Sequence, residues 1–262
     1  MGFRHGDIKP DNILRFHEAH EEGGSLQDES GVPLIMQVGT WKLADFGLAK
    51  KHKTATVRRG PTETRCTTVR YEPPETEKAM NGEGSMSRLG DIWSLGAVML
   101  ECVIWLMYGD GEVERFAKEM GGGNVRGVSF YVMGGHGEVR LNDVVVEWIE
   151  HMKTDEEGQD TALGELLAVA EKYMLTSGAL RDDWDVECKV VGQGLMQGTR
   201  ATSKELLVLL DKIIGGTKRT IMDDEYLFKG EWMVNGRGRS GGRGPRHDPA
   251  GRLPDRPSSA PL

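Results

Sequence analysis

Asp7, Lys9 and Asn12 fall in one short stretch, Arg4-His5-Gly6-Asp7-Ile8-Lys9-Pro10-Asp11-Asn12. A second acidic group, Asp45, follows the strand-like Trp41-Lys42-Leu43-Ala44 and heads Asp45-Phe46-Gly47. The spacing puts a base, a cation and one metal ligand on a single loop, with a further metal ligand on a second loop. Transfer of a phosphoryl group calls for such a set, because its catalysis is mostly positioning and charge neutralisation.

The elements that must hold these loops are readable around them. Ile13-Leu14 reads as a short strand, and residues 16–31 form a polar insertion rich in Glu, Gly and His that is expected to be exposed. His17 and His20 sit there with Glu18, Glu21 and Glu22, without His-Glu-x-x-His spacing, so a solvated loop is the plainer reading than a metal site. From Leu48 to Thr68 the chain is polar, basic and Thr-rich. A helix over 91–107 is apolar on nearly all sides (Ile92, Leu95, Val98, Met99, Val103), which belongs in the middle of a domain. Asp91 at its start suits capping and the helix dipole. Helical spacing recurs over 144–152, 161–176 and 184–196, and again from Leu206 to Ile214 behind a Ser/Thr cap. Two Gly-rich runs, 121–127 and 192–198, read as connecting loops.

Composition bounds the rest. The 262 residues, 38% hydrophobic and 28% charged, can bury a core. Net charge is −8; the segment 235–262 carries six Arg against two Asp, a net +4, which leaves −12 on the remainder. An acidic body argues against nucleic acid as a partner, although the Gly-Arg spacing of that segment would suit weak RNA contact. Beyond Trp232 the residues are too polar and Gly/Pro-rich to offset their ordering entropy, so 233–262 is expected to be disordered. Three scattered cysteines, Cys66, Cys102 and Cys188, support neither a disulfide framework nor a zinc site. The N-terminus lacks a secretory h-region, Gly6 breaks the myristoylation pattern, and the apolar run 95–108 is too short to span a bilayer. These features imply a cytoplasmic or nuclear protein with no membrane partner.

The landmarks, in order, are Asp7-Ile8-Lys9-Pro10-Asp11-Asn12, Asp45-Phe46-Gly47, Pro73-Pro74-Glu75 and Asp91-Ile92-Trp93-Ser94-Leu95-Gly96. Together they resemble the C-terminal lobe of eukaryotic protein kinases over about residues 3–215, and Lys9-Pro10 resembles the Ser/Thr-directed type. The resemblance implies a mainly α fold with a small β-hairpin region. It divides the chain into a lobe over 1–232 (catalytic loop 4–12, activation segment 45–75, central helix 91–107) and the tail. It implies ATP and Mg2+ as co-substrate and cofactor and a protein Ser/Thr hydroxyl as acceptor. By the same resemblance Asp7 orients the hydroxyl and accepts its proton, Lys9 neutralises the γ-phosphate, and Asn12 and Asp45 hold Mg2+. Thr68 supports the peptide substrate, and Thr64 is the positional candidate for activation-loop phosphorylation. Asp91 accepts backbone N–H bonds from the catalytic loop, and Arg200 pairs with Glu75.

Two departures qualify this. Gly6 stands where most family members have the Arg that binds a phosphorylated Thr, which weakens the case for activation through Thr64. The N-terminal lobe that grips ATP is absent from these residues, so negligible turnover is expected of the chain alone, and a partner is expected on the exposed lobe face. The leading expectation is a Ser/Thr kinase represented by a truncated catalytic domain. The alternatives are an inactive lobe acting as a protein-binding module, or a non-functional gene fragment.

Overall fold

The computed structural model describes residues 2–16, 40–52, 68–81, 87–121, 128–135, 138–176 and 200–219. Of the insertion expected over 16–31, Phe16 belongs to a strand and 17–31 lie outside the described residues, as do Thr64, the helical expectation over 184–196, the tail, Cys66 and Cys188.

The architecture is mainly α, with three two-stranded antiparallel pairs at its edges. β1 (Gly2–Arg4) pairs with β4 (Lys50–His52), and β2 (Ile13–Phe16) with β3 (Thr40–Leu43) in the register Ile13 to Leu43. The helices are α1 (Glu75–Met80), α2 (Leu89–Tyr108), α3 (Asp110–Gly121), α4 (Asp143–Thr154), α5 (Ala162–Val169) and α6 (Ser203–Arg219). A hairpin of β5 (Tyr131–Met133) and β6 (Val139–Leu141) separates α3 from α4. A five-residue π turn, Ala170–Met174, continues α5.

Helices α3 to α6 gather around α2. One side of it (Trp93, Ala97, Leu100, Val103, Ile104, Met107) meets Phe116 and Met120 of α3, Val145, Trp148, Ile149 and Met152 of α4, and Leu163 and Leu167 of α5. Ile92 instead joins a second cluster with Val169, Met174, and Leu206 and Ile213 of α6. By length and composition Leu89–Tyr108 could cross a membrane, yet most of it is buried inside the protein. A helix apolar all round is what a domain centre needs. It ends at Gly109, whose φ of 92° suits a residue without Cβ.

The flanking helices show their start signals. Asn142 caps α4 by accepting from Val144 N–H at 3.0 Å, and Thr161 caps α5 by accepting from Gly164 N–H at 3.1 Å. Before α6, Thr202 N–H donates to Glu205 Oε2 (2.7 Å) while Glu205 N–H donates to Thr202 Oγ1 (3.3 Å), a reciprocal capping box.

The central helix is longer than the 91–107 expected from sequence, adding a turn's worth of residues across its two ends. The stretch 110–141 after it holds the helix α3 and the β5–β6 hairpin, and the polar stretch after Leu48 holds β4. In α3, Val113, Phe116, Ala117 and Met120 recur at helical spacing and cover α2, with Gly111 and Gly121 at its two ends.

Candidate active site

Asp91, in the first turn of α2, fixes the Asp7 loop. Its Oδ2 accepts from His5 N–H at 2.7 Å and its Oδ1 from Gly6 N–H at 2.9 Å. Burial pushes the Asp91 carboxyl up, opposed by those two N–H bonds and by the charge of buried Arg4. His5 ties the loop to the second one: its Nε2 lies 2.9 Å from the Ala44 carbonyl, its Nδ1 faces Asp7 N–H at 3.4 Å, and its ring packs 5.0 Å from Phe46. The tautomer with Nε2 protonated satisfies both contacts.

Gly6 has φ of 87°, and a Cβ there would sit 3.3 Å from the Leu48 carbonyl oxygen. Gly6 therefore takes, without a Cβ, a backbone conformation that side-chain-bearing residues rarely adopt.

Asp7 lies at the centre of a polar cluster. Its Oδ2 takes Lys9 Nζ at 2.8 Å and Asn12 Nδ2 at 3.3 Å, and its Oδ1 takes Thr68 N–H and Thr68 Oγ1, both at 3.2 Å. Asn12 Nδ2 also donates to the Asp7 carbonyl (2.8 Å), and Lys9 Nζ to Thr68 Oγ1 (3.1 Å). Burial alone would raise the Asp7 carboxyl, but the bonds from Lys9 and Thr68 outweigh it and hold the group below the usual carboxylate range. Lys9 is raised, chiefly by its hydrogen bond to Asp7 and against burial. The pair is thus held ionised. The Asn12 carbonyl accepts Ala44 N–H at 2.8 Å, which brings Asp45 to the same edge.

Asp45 adopts the left-handed conformation (φ 58°), which Asp tolerates better than most residues, and its exposed carboxylate accepts from Gly47 N–H at 3.2 Å. Of the nine residues marked in the sequence, Asp7, Lys9, Asn12 and Thr68 meet directly, and Asp45 adjoins them through Ala44 and the charge of Lys9. Asp91 stands behind the loop. Glu75 and Arg200 form a separate buried pair, Nη1 to Oε1 at 2.7 Å and Nη2 to Oε2 at 2.8 Å. Thr64 is outside the described residues.

The residues fit a magnesium ion. Asn12 commits its Nδ2 to Asp7, which leaves its amide oxygen as the ligating atom, and Asp45 presents an exposed carboxylate. Mg2+ is commonly held by one or two such protein oxygens, with phosphate oxygens and water completing its shell. Among the described residues no three His, Cys, Asp or Glu are placed to hold a metal by themselves.

Sequence reasoning missed two groups that the structure places around the site. His5 joins the two loops, and its adjacency to the Asp7 motif was the available signal. Glu101, deep in α2, binds Arg70 and Tyr71; a carboxylate inside an apolar helix signals a hidden partner.

Comparison with known proteins agrees with this arrangement. The family described as Protein kinase domain matches residues 1–119. Rho-associated protein kinase 1 of Homo sapiens is 32% identical over 123 residues, which is 46% of this chain and 7% of that protein. Serine/threonine-protein kinase cds1 of Schizosaccharomyces pombe is 36% identical over 110 residues (41% and 18%), and mitogen-activated protein kinase kinase 10 of Arabidopsis thaliana 36% over 104 residues (40% and 26%). The chain thus spans no more than about a quarter of the length of these relatives. With the family match and this loop geometry on the same residues, the chain carries in residues 1–119 a fragment of a protein kinase catalytic domain.

Proposed function

We propose that this site serves transfer of the ATP γ-phosphate to a Ser or Thr hydroxyl of a protein. The observation that carries the reading is the cluster of Asp7, Lys9, Asn12 and Thr68 on one edge, with Asp45 beside it. Asp7, held ionised, is a weak base; it aligns the acceptor hydroxyl by hydrogen bonding and takes its proton as the phosphoryl group departs from ADP. Lys9 neutralises charge on the transferring group, and Thr68 keeps the Asp7 carboxylate oriented. Asn12 and Asp45 hold Mg2+, which when bound neutralises phosphate charge.

The lobe is proposed to run beyond the family match, through α6 to about residue 232, with 233–262 as a tail. The Arg200–Glu75 pair supports this, because it joins the segment before α6 to the segment before α2. Phe3 (68% exposed), Trp41 (59%) and Phe46 (62%) lie on β1, β3 and the Asp45 loop and favour a covering protein unit on this face. A role as a binding module is the second reading, and it rests on the same exposed residues.

The test is phosphate transfer from Mg-ATP to Ser, Thr and Tyr peptides by the protein purified at its natural length. Transfer to Ser and Thr is expected, falling to background in Asp7→Ala and Asp45→Ala. Equal activity in the wild type and both variants would overturn the proposal.

A further inference from the structure

Helix α6 is apolar over more of its surface than its packing uses. Leu206 and Ile213, seven residues apart, are buried in the second cluster, and Leu209 and Leu210 flank them there. Leu207 and Val208 turn to the outer side and are 59% and 38% exposed, with Ile214 at its margin 47% exposed. A Cβ at Gly215, seven residues after Val208 on that side, would meet nothing within 4 Å, so the strip is open towards the C-terminal end of the helix. α3 is the contrast: it packs by one face, and its exposed positions are Asp110, Gly111, Glu114 and Lys118. A helix covered on one side normally carries polar residues on the other, whereas α6 has leucine and valine there between Lys204 and Asp211.

The chain that follows α6 matches this strip in composition and length. Seven of the thirteen residues 221–233 are apolar, among them Tyr226, Phe228 and Trp232, whereas 234–262 contain no aromatic residue. From Arg219 back to Leu207 the helix measures about 18 Å, and thirteen residues reach about 20 Å even when wound as a helix. The run is therefore long enough to return along the strip, and the composition changes to Gly, Arg and Pro where the strip ends. A tethered segment also meets its surface at an effective concentration on the order of millimolar, an advantage that a second copy of the chain lacks.

We infer that residues 221–233 lie back along the outer side of α6 and cover Leu207 and Val208, as an internal strap. The strap is independent of the proposed phosphate transfer, and testing it needs no turnover. In the full-length chain, hydrogen exchange read by mass spectrometry should show the amides of 221–233 exchanging at least about tenfold more slowly than those of 235–262. Leu207→Lys together with Val208→Lys preserves the helix propensity of α6 and should bring 221–233 to within about twofold of 235–262, while the amides of α4 and α5 keep their rates. If that variant does not fold, Phe228→Ser together with Trp232→Ser decides the matter by the same readout. Exchange in wild-type 221–233 as fast as in 235–262 overturns the inference. So does protection that survives the substitutions on α6, because the segment would then be held by something else. Protection that grows with protein concentration, beside a doubled mass in light scattering, also overturns it and makes a second copy the occupant.

Discussion

Removing Arg200 should cost the protein a large part of its stability, and the structure says why. The side chain is fully buried, and its fork makes four bonds: Nη1 and Nη2 on the two oxygens of Glu75, Nη1 also on the Leu89 carbonyl at 3.1 Å, and Nε on the Thr176 carbonyl at 2.9 Å. The guanidinium lies 5.0 Å from the ring centre of buried Trp93. Arg200→Ala leaves the Glu75 carboxylate, almost as buried, without its counter-charge. Breaking one side of such a pair costs about 3–5 kcal/mol, against total stabilities of about 5–15 kcal/mol. With a urea slope of about 2 kcal/mol per molar, the midpoint should fall by roughly 1.5–2.5 M. Arg200→Lys keeps the charge but cannot make two parallel bonds and reach both carbonyls, so it should recover less than half of the loss. Replacing the pair with Glu75→Leu and Arg200→Met together should be milder than Arg200→Ala alone, because no buried charge is left over. Urea unfolding followed by tryptophan fluorescence and circular dichroism measures all three. An Arg200→Ala midpoint within about 0.5 M of the wild type would refute the reasoning, since the stranded carboxylate would then carry no penalty.

Asp91→Ala orphans the His5 and Gly6 amides, and both should lose most of their hydrogen-exchange protection; retained protection would mean the loop has another anchor. Gly96→Ala puts a Cβ 2.7 Å from Met174 Cβ and should destabilise by about 1–3 kcal/mol, whereas Gly111→Ala in α3 meets nothing within 4 Å and should stabilise by about 0.4–1 kcal/mol; denaturant midpoints separate the two. Cys102 is solvent-exposed, yet partial desolvation by the surrounding helix and then the charge of Glu101 push its thiol up, so its thiolate is scarcer at neutral pH than that of a free cysteine. Alkylation by iodoacetamide, read at the Cys102 peptide by mass spectrometry, should lag behind glutathione at pH 7.5 and gain as pH rises above 9. Glu101→Gln should speed it, and an equal rate in both proteins would contradict the assigned cause.

The parts legible from the sequence were those whose partners sit close by or in a dense motif. Asp7, Lys9 and Asn12 share one loop, Asp45 follows a strand that pairs directly with the strand after Asn12, and Asp91 opens a long helix that is apolar on nearly all sides. The helix α3 was hidden by the glycines at its ends, although Val113, Phe116, Ala117 and Met120 carried the period. Strand β4 was hidden for another reason: Lys50-Lys51-His52 has no apolar alternation to mark it as the partner of β1. Glu101 was visible as an acidic residue in an apolar run, but its partners lie 30 and 31 positions back in sequence, beyond any local pattern. Gly6 could be seen to depart from the resembled pattern, but its φ of 87° depends on the loop's anchoring and could not be read from the residue alone.

Three polar side chains interrupt the apolar surface of α2 to hold the site: Asp91 binds the Asp7 loop, Ser94 the Tyr71 carbonyl, and Glu101 the turn behind Thr68. Ten residues of helix separate the first from the last, a rigid span of about 15 Å. The contact between Thr68 and Asp7 is therefore set by the length of one buried helix, since each loop is fastened to its own point on it. A helix can serve as that fixed rod only if its remaining surface is packed, and the packing comes from α3, α4, α5 and α6. Much of that cover lies after residue 119, where the family match stops. Helices α4, α5 and α6 thus need apolar faces of the right size more than any particular motif, because their part is to steady the rod to which the two loops are fastened.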